Sequence, residues 1–140
     1  MTNTDFENVI RVLLVEDSLP VRRRIRSLIE ESGPVVVVGE AETTFLARAL
    51  FYKHRPEVVV LDLQLQDGTS YSILREIKQT HPTCKVIVLT NFAIPECRET
   101  CRASGADFFF DKSKEFERVP EVLAELHRTK REQAEAAKDL

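Results

Sequence analysis

The chain alternates short, almost wholly apolar runs with longer stretches in which apolar residues recur every three or four positions. The short runs are VLLV from residue 12, VVVV from 35, VVVL from 58, VIVL from 86 and DFFF from 107. Their starts lie 23, 23, 28 and 21 residues apart. Each is brief and rich in β-branched or aromatic residues, which predicts strands. Because they do not alternate with polar residues, they are expected to be covered on both faces, as in a parallel sheet.

The intervening stretches read as helices. Ser18 caps the first, with Pro20 in its first turn and Val21, Ile25, Leu28 and Ile29 on one face; Gly33-Pro34 stops it. Thr43 or Thr44 caps the second, whose face carries Leu46, Ala47, Leu50 and Phe51. Ser70 opens the third, with Ile73, Leu74 and Ile77 facing in. Pro95 opens a fourth that ends near Gly105, and a fifth starts around Val119-Pro120. The predicted fold is α/β: a (βα)5 doubly wound parallel sheet of flavodoxin-like strand order 2-1-3-4-5.

Composition narrows the function. A chain of 140 residues, 43% hydrophobic and 31% charged, can bury one ordinary core. A net charge of −3 does not suggest nucleic-acid binding, and the basic cluster VRRRIR at 21–26 reads as a solvated helix face. No run approaches a membrane span, and MTNTDFEN is no signal peptide, so a cytoplasmic protein is expected. Cys84, Cys97 and Cys101 lack metal-site spacing and are expected in the core or on a helix surface.

Ligands of such sheets bind at the carboxyl ends of the strands. The first strand ends in Glu16-Asp17, the third in Asp62, the fourth in Thr90 and the fifth in Asp111-Lys112. The second ends in Glu40, which has less to recommend it. Several acids in one crevice repel one another, and a hard cation such as Mg²⁺ (or Mn²⁺) relieves the repulsion. Metal, ammonium and hydroxyl together suit phosphoryl transfer, with a carboxylate as nucleophile. Asp62, central in the edge, is the candidate nucleophile.

These residues resemble the receiver domain of bacterial two-component response regulators. The likeness rests on LLVEDS, VVLDLQLQDG, VIVLT and GADFFFDKS, with 45 residues from Asp17 to Asp62, 28 to Thr90 and 22 to Lys112. It covers residues 9–128, leaving an N-terminal tail (1–8) and a polar, helical or frayed C-terminal tail (129–140). The resemblance implies that Glu16 and Asp17 hold Mg²⁺ with Asp62 and the backbone carbonyl of Gln64. It implies that Asp62 accepts a phosphoryl group from a phosphohistidine on a sensor histidine kinase or histidine phosphotransfer protein. Lys112 and Thr90 would bind the phosphoryl oxygens, and Phe109 would turn inward behind Thr90. The face of the fourth helix, fifth strand and fifth helix would then act on a downstream protein. Neither direct nucleic-acid contact nor a membrane role is implied, and the protein would be a monomer or a phosphorylation-dependent dimer.

Four positions depart from the family pattern. Ser113 replaces the proline that usually follows the lysine, Asn91 the small residue after the threonine, Gln66 a loop proline, and Phe109 stands where tyrosine is common. Gln64 and Asn91, both beside the phosphate, are candidates for setting its lifetime. The chain is expected to be a stand-alone switch rather than a turnover enzyme. A receiver piece of a DNA-binding regulator is the alternative, since RTKREQAEAAKDL could begin a linker. An aspartate-nucleophile phosphatase of the haloacid dehalogenase type would need a second acid where Gln64 stands. A flavin carrier on the same fold would want a hydroxyl- or glycine-rich loop in place of EDSLPV. A degenerate receiver that works without phosphate is disfavoured by Asp17, Asp62, Thr90 and Lys112.

Overall fold

The computed structural model describes residues 8–139; of the expected N-terminal tail, residues 1–7 lie outside it. In chain order the elements are β1 (Ile10–Val15), α1 (Leu19–Glu30), β2 (Val35–Ala41), α2 (Thr44–His54), β3 (Val58–Leu61), β4 (Gln64–Leu65), β5 (Gly68–Thr69), α3 (Tyr71–Thr80), β6 (Lys85–Thr90), α4 (Pro95–Ala103), β7 (Phe108–Asp111) and α5 (Arg118–Lys138). Apart from the small antiparallel β4–β5 pair, the strands form one parallel sheet in the order β2-β1-β3-β6-β7. This is the predicted 2-1-3-4-5 order, counted over the strands of the sheet.

The lack of alternation in the strands has the expected cause. Val12, Leu14, Val58, Val60, Ile87 and Leu89 face one side, under Ile25 and Ile29 of α1 and Val119, Val122 and Leu123 of α5. Leu13, Val15, Val59, Leu61, Val86 and Val88 face the other, against Phe51 of α2, Ile73, Leu74 and Ile77 of α3 and Cys101 of α4. Both sets are buried, so period-two side chains are all apolar. The β2 strand runs on to Ala41 through a bulge, its register with β1 stepping from Val37 to Gly39. A Cβ on Gly39 would lie 3.3 Å from Leu13 Cδ1.

The caps follow the sequence in part. Ser18 and Thr43 cap α1 and α2, Thr43 Oγ1 accepting from Leu46 N at 3.1 Å. Ser70 stands at the start of α3, but its hydroxyl donates instead to the Asp62 carbonyl at 2.6 Å. Asp67 lies in the turn of the β4–β5 hairpin, and Gly68 after it takes φ +134°. Asp67 reaches across to α2, accepting from Thr44 N (2.8 Å), Thr44 Oγ1 (2.6 Å) and Phe45 N (3.2 Å). An acid is favoured there by the exposed N–H groups and by the helix dipole. The Thr44 hydroxyl, then the Thr44 N–H, holds the Asp67 carboxyl below the ordinary range.

The C-terminal tail continues α5 as helix to Lys138. Lys130, where the core stripe gives out, ties this extension to the amino edge of the sheet. Its ammonium donates to the Val9 carbonyl at 2.9 Å and pairs with Glu57 at 2.7 Å. The three cysteines are free; Cys84 and Cys101 are buried and Cys97 half-buried. Burial pushes the Cys84 thiol up to about 12 and the Cys101 thiol up to about 11. Among the described residues no helix is long and apolar enough to cross a membrane.

Gly105 joins α4 to β7 at φ +100°, and a Cβ there would meet Lys78 Cγ at 2.9 Å. Lys78 has little freedom to withdraw, since its ammonium donates to the carbonyls of Pro82 and Cys84 and to Asp107. Gly105→Ala is expected to cost roughly 1–3 kcal/mol in urea unfolding. Asp67→Ala is expected to lower the urea midpoint at neutral pH. Because the folded carboxyl is depressed, that loss should be full above pH ~5 and close as the pH falls below ~4. A gap that stayed constant to low pH would show that Asp67 contributes nothing through its charge.

Candidate functional site

Glu16, Asp62 and Lys112 each stand one residue beyond a strand, and their backbones extend the ladder of the sheet, while Thr90 is the last residue of β6. Glu16 N donates to Ala41 O (2.9 Å), Asp62 N to Val15 O (3.1 Å) and Lys112 N to Thr90 O (2.8 Å). Apolar strands thus carry the polar groups to one edge and fix their directions.

At that edge the Lys112 ammonium bridges two acids. It bonds Asp62 Oδ2 at 2.7 Å and also Glu16 Oε1. Glu16 is 2% exposed and Asp62 7% exposed, so both carboxylates are removed from most of their water. Burial alone would lower the Lys112 ammonium; hydrogen bonds to Asp62 and Glu16 outweigh it and raise the group above its ordinary value. The second Glu16 oxygen accepts from Ser18 N at 3.1 Å. Asp62 Oδ1 has one long contact, 3.4 Å from Gln64 N.

Asp17 completes the acidic group. One oxygen from each of Glu16, Asp17 and Asp62 lies within 4.8 Å of the others. Burial, followed by a hydrogen bond and charge repulsion from Glu16, pushes the Asp17 carboxyl up, against the pull of Lys112. Three carboxylates face one ammonium, so the crevice keeps uncompensated negative charge. An all-oxygen donor set suits a hard divalent cation and not a soft one.

Thr90 is fully buried, and its hydroxyl oxygen accepts from Phe92 N at 3.1 Å. Phe109 lies half-buried on β7, with the Arg98 guanidinium over its ring. Gln64 and Asn91 are exposed. Gln64 touches Asp62 through its backbone, while Asn91 adjoins the site only as the neighbour of Thr90. Glu40 stands apart from the cluster, pairing with Arg22 and Arg26 of α1.

The loop after Lys112 is built differently from a proline turn. Asp111 Oδ1 accepts from Ser113 N (2.9 Å) and from Ser113 Oγ (2.7 Å). Proline could make neither bond. The Ser113 hydroxyl, then its N–H, holds the Asp111 carboxyl low. Every peptide bond among the described residues is trans.

Sequence reasoning missed three supporting residues. Ser70 fixes the Asp62 backbone through its carbonyl. Arg22 Nη1 donates to the Glu16 carbonyl at 2.8 Å, and its Nε lies 3.3 Å from Glu40 without hydrogen-bond alignment. Arg98 covers Phe109. Of the three, only Ser70 stood out in the sequence, and there as the residue that opens α3 and not as a partner of Asp62.

Known proteins agree with this geometry. Two curated relatives match most of this chain. The protein-glutamate methylesterase/protein-glutamine glutaminase of Alkalilimnicola ehrlichii is 32% identical over 125 residues, or 88% of this chain. The DNA-binding transcriptional activator DevR/DosR of Mycobacterium tuberculosis is 31% identical over 104 residues, or 74% of this chain. The matches span only 30% and 48% of those relatives. Among solved structures, the response regulator domain of Thermotoga maritima CheB aligns with TM-score 0.74 and 26% identity, covering 89% of this chain and 97% of its own. The receiver domain of AraT from Geobacillus stearothermophilus aligns with TM-score 0.71 and 25% identity, covering 93% and 98%. A family model described as the response regulator receiver domain matches residues 12–124, from within β1 into α5. With the acidic edge, the buried lysine and the strand order all in agreement, the chain belongs to the response regulator receiver domain family.

Proposed function

We propose that residues 9–128 form a phospho-accepting switch in which Asp62 takes a phosphoryl group from a phosphohistidine on a sensor kinase or phosphotransfer protein. The observation that carries this reading is the unequal treatment of the two Asp62 oxygens. Lys112 holds Oδ2 at 2.7 Å, whereas Oδ1 has only the 3.4 Å contact from Gln64 N. Oδ1 is the nucleophile. It attacks phosphorus, an O–P bond forms, and the P–N bond breaks. The imidazole nitrogen leaves with the electron pair and takes a proton.

Glu16, Asp17 and Asp62, with the Gln64 carbonyl, would hold Mg²⁺ or Mn²⁺, which supplies positive charge opposite the phosphoryl oxygens. Lys112 is fixed to Asp62 before transfer and meets a phosphoryl oxygen as charge shifts toward the new bond. The Thr90 hydroxyl donates to a second oxygen and loses its contact with Phe92. Phe109 turns toward the space Thr90 leaves, which alters the face of α4, β7 and α5 presented to a downstream protein. Water later removes the phosphate, so the protein is a timed switch and not a turnover enzyme. Gln64 and Asn91, beside the phosphate, set that time.

A second reading has this receiver controlling a further domain on the same polypeptide. It is favoured by the matches spanning only 30% and 48% of the two relatives described above. Immunoblotting of the source cells separates the two: a band well above 16.0 kDa supports the second.

Intact-mass analysis with Mg²⁺ and acetyl phosphate is expected to show one base-labile phosphoryl group on the wild type. Asp62→Asn and removal of metal by chelation are expected to abolish it. A folded wild type that gains no mass overturns the proposal. Lys112→Ala is expected to slow phosphorylation by about 10²-fold or more, the scale of losing one preorganised charge at a reacting oxygen. Replacing Gln64 and Asn91 together is expected to change the dephosphorylation rate; an unaltered rate refutes their timing role.

A further inference from the structure

Phe109 carries a cation on its face. The Arg98 guanidinium carbon stands 4.6 Å from the ring centroid. Arg98 Nη1 also donates to the Phe109 carbonyl at 3.4 Å. Arg98 Nη2 lies 4.0 Å from Glu115 Oε1, the same oxygen that accepts from Asp111 N at 3.1 Å. One arginine on α4 therefore touches the ring and the backbone of β7 and the acid that steadies the residue before Lys112.

Arg102 and Arg118, also exposed, have their charge partners on their own helices. Arg102 pairs with Glu99 and Arg118 with Glu121, each three residues away. Such pairs stay intact however the helix moves. The Arg98 contacts all run from α4 to β7 and the loop beyond it, and the one to the ring exists only while the ring stays where it is.

We propose that Arg98 is a positioning residue that latches Phe109 in the arrangement described here and thereby sets how readily the switch turns over. The latch rests on the phospho-acceptor reading above and names the regulation of that same site. A cation over an aromatic face is a modest attraction at an exposed position. Modest is enough, because an equilibrium between two packings responds to any contact that one state makes and the other lacks. Phosphate would draw the half-buried ring further inward, and Arg98 holds it in its present place. Without the guanidinium, the turned-in state is more populated before phosphate arrives, and the receptive fraction of molecules rises.

The test compares the wild type with Arg98→Gln, Arg98→Lys and Arg118→Gln. Phosphorylation by acetyl phosphate with Mg²⁺ is followed by intact mass, and the Phe109 ring resonances are followed by NMR without phosphodonor. Those resonances are assigned by their loss in Phe109→Leu. Arg98→Gln is expected to speed phosphorylation roughly two- to fivefold and to move the ring resonances. Arg98→Lys, which keeps a cation, should fall between it and the wild type. Arg118→Gln removes a corresponding contact to Phe110 (5.3 Å) and is expected to leave both readouts unchanged. In a Phe109→Leu background, Arg98→Gln is expected to change nothing. The latch is overturned if Arg98→Gln matches the wild type in both readouts, or if its effect persists without the ring. If the wild type takes no phosphate, the phospho-acceptor reading fails instead, and the ring resonances alone decide the latch.

Discussion

The site depends on one ammonium. Lys112 joins Glu16, 96 positions before it, to Asp62, 50 positions before it. Both acids are largely cut off from water, and a buried carboxylate without a partner is among the costliest groups a fold can hold. The bridge answers that cost for two acids with one cation, but not for the third. Asp17 is left at the rim, half-exposed, with its proton held more tightly than usual. The crevice is thus stable enough to fold yet still short of positive charge. A phosphoryl group and its cation would change that balance, and Lys112 is already placed to exchange a carboxylate oxygen for a phosphoryl one.

Placing that ammonium takes the whole sheet. Lys112, Asp62 and Glu16 come from three strands, and each is held by a backbone bond to the strand beside it. The strands in turn are rigid because both faces are packed, α1 and α5 on one side and α2, α3 and α4 on the other. A close-packed interior has few alternative arrangements. The proposed switch would therefore act at the margin of that packing, through the buried Thr90 hydroxyl with its Phe92 partner and the half-buried Phe109 ring. The boundary between rigid and switchable parts runs along the carboxyl edge of the sheet, where the chemistry is.

That boundary also marks what the residues betray in one dimension. The strands and the order of the sheet were legible because a residue buried on either face must be apolar, and such runs are rare outside a doubly covered sheet. Asp62, Glu16-Asp17 and Lys112 were legible for the complementary reason, as charges where an apolar run stops. The partnerships were not. Asp67 serves α2, 23 positions upstream, although its own neighbours spell a turn. Ser70 reads as a helix cap and spends its hydroxyl on Asp62 instead. Lys130 lies in a tail that reads as polar and helical or frayed, and it proves to be an anchor. In each case a polar side chain takes a partner distant in sequence that its own neighbours do not announce.

Ser113 shows what such a choice does to function. A proline after the lysine would fix the backbone dihedral of its own residue covalently and leave no N–H. Here Asp111 holds the loop instead, by accepting from the Ser113 N–H and hydroxyl. The conformation rests on hydrogen bonds at an exposed position, where water competes for every donor and each bond contributes only a modest net stability. The Asp111 N–H in turn is held by Glu115, and Glu115 is the acid that Arg98 approaches. A turn held by such bonds is less rigid than one closed by a proline ring, and it is linked to α4 through Glu115 and Arg98. Lys112 is therefore aimed by the same polar chain that covers Phe109, so the group proposed to bind phosphate and the ring proposed to report it share one support.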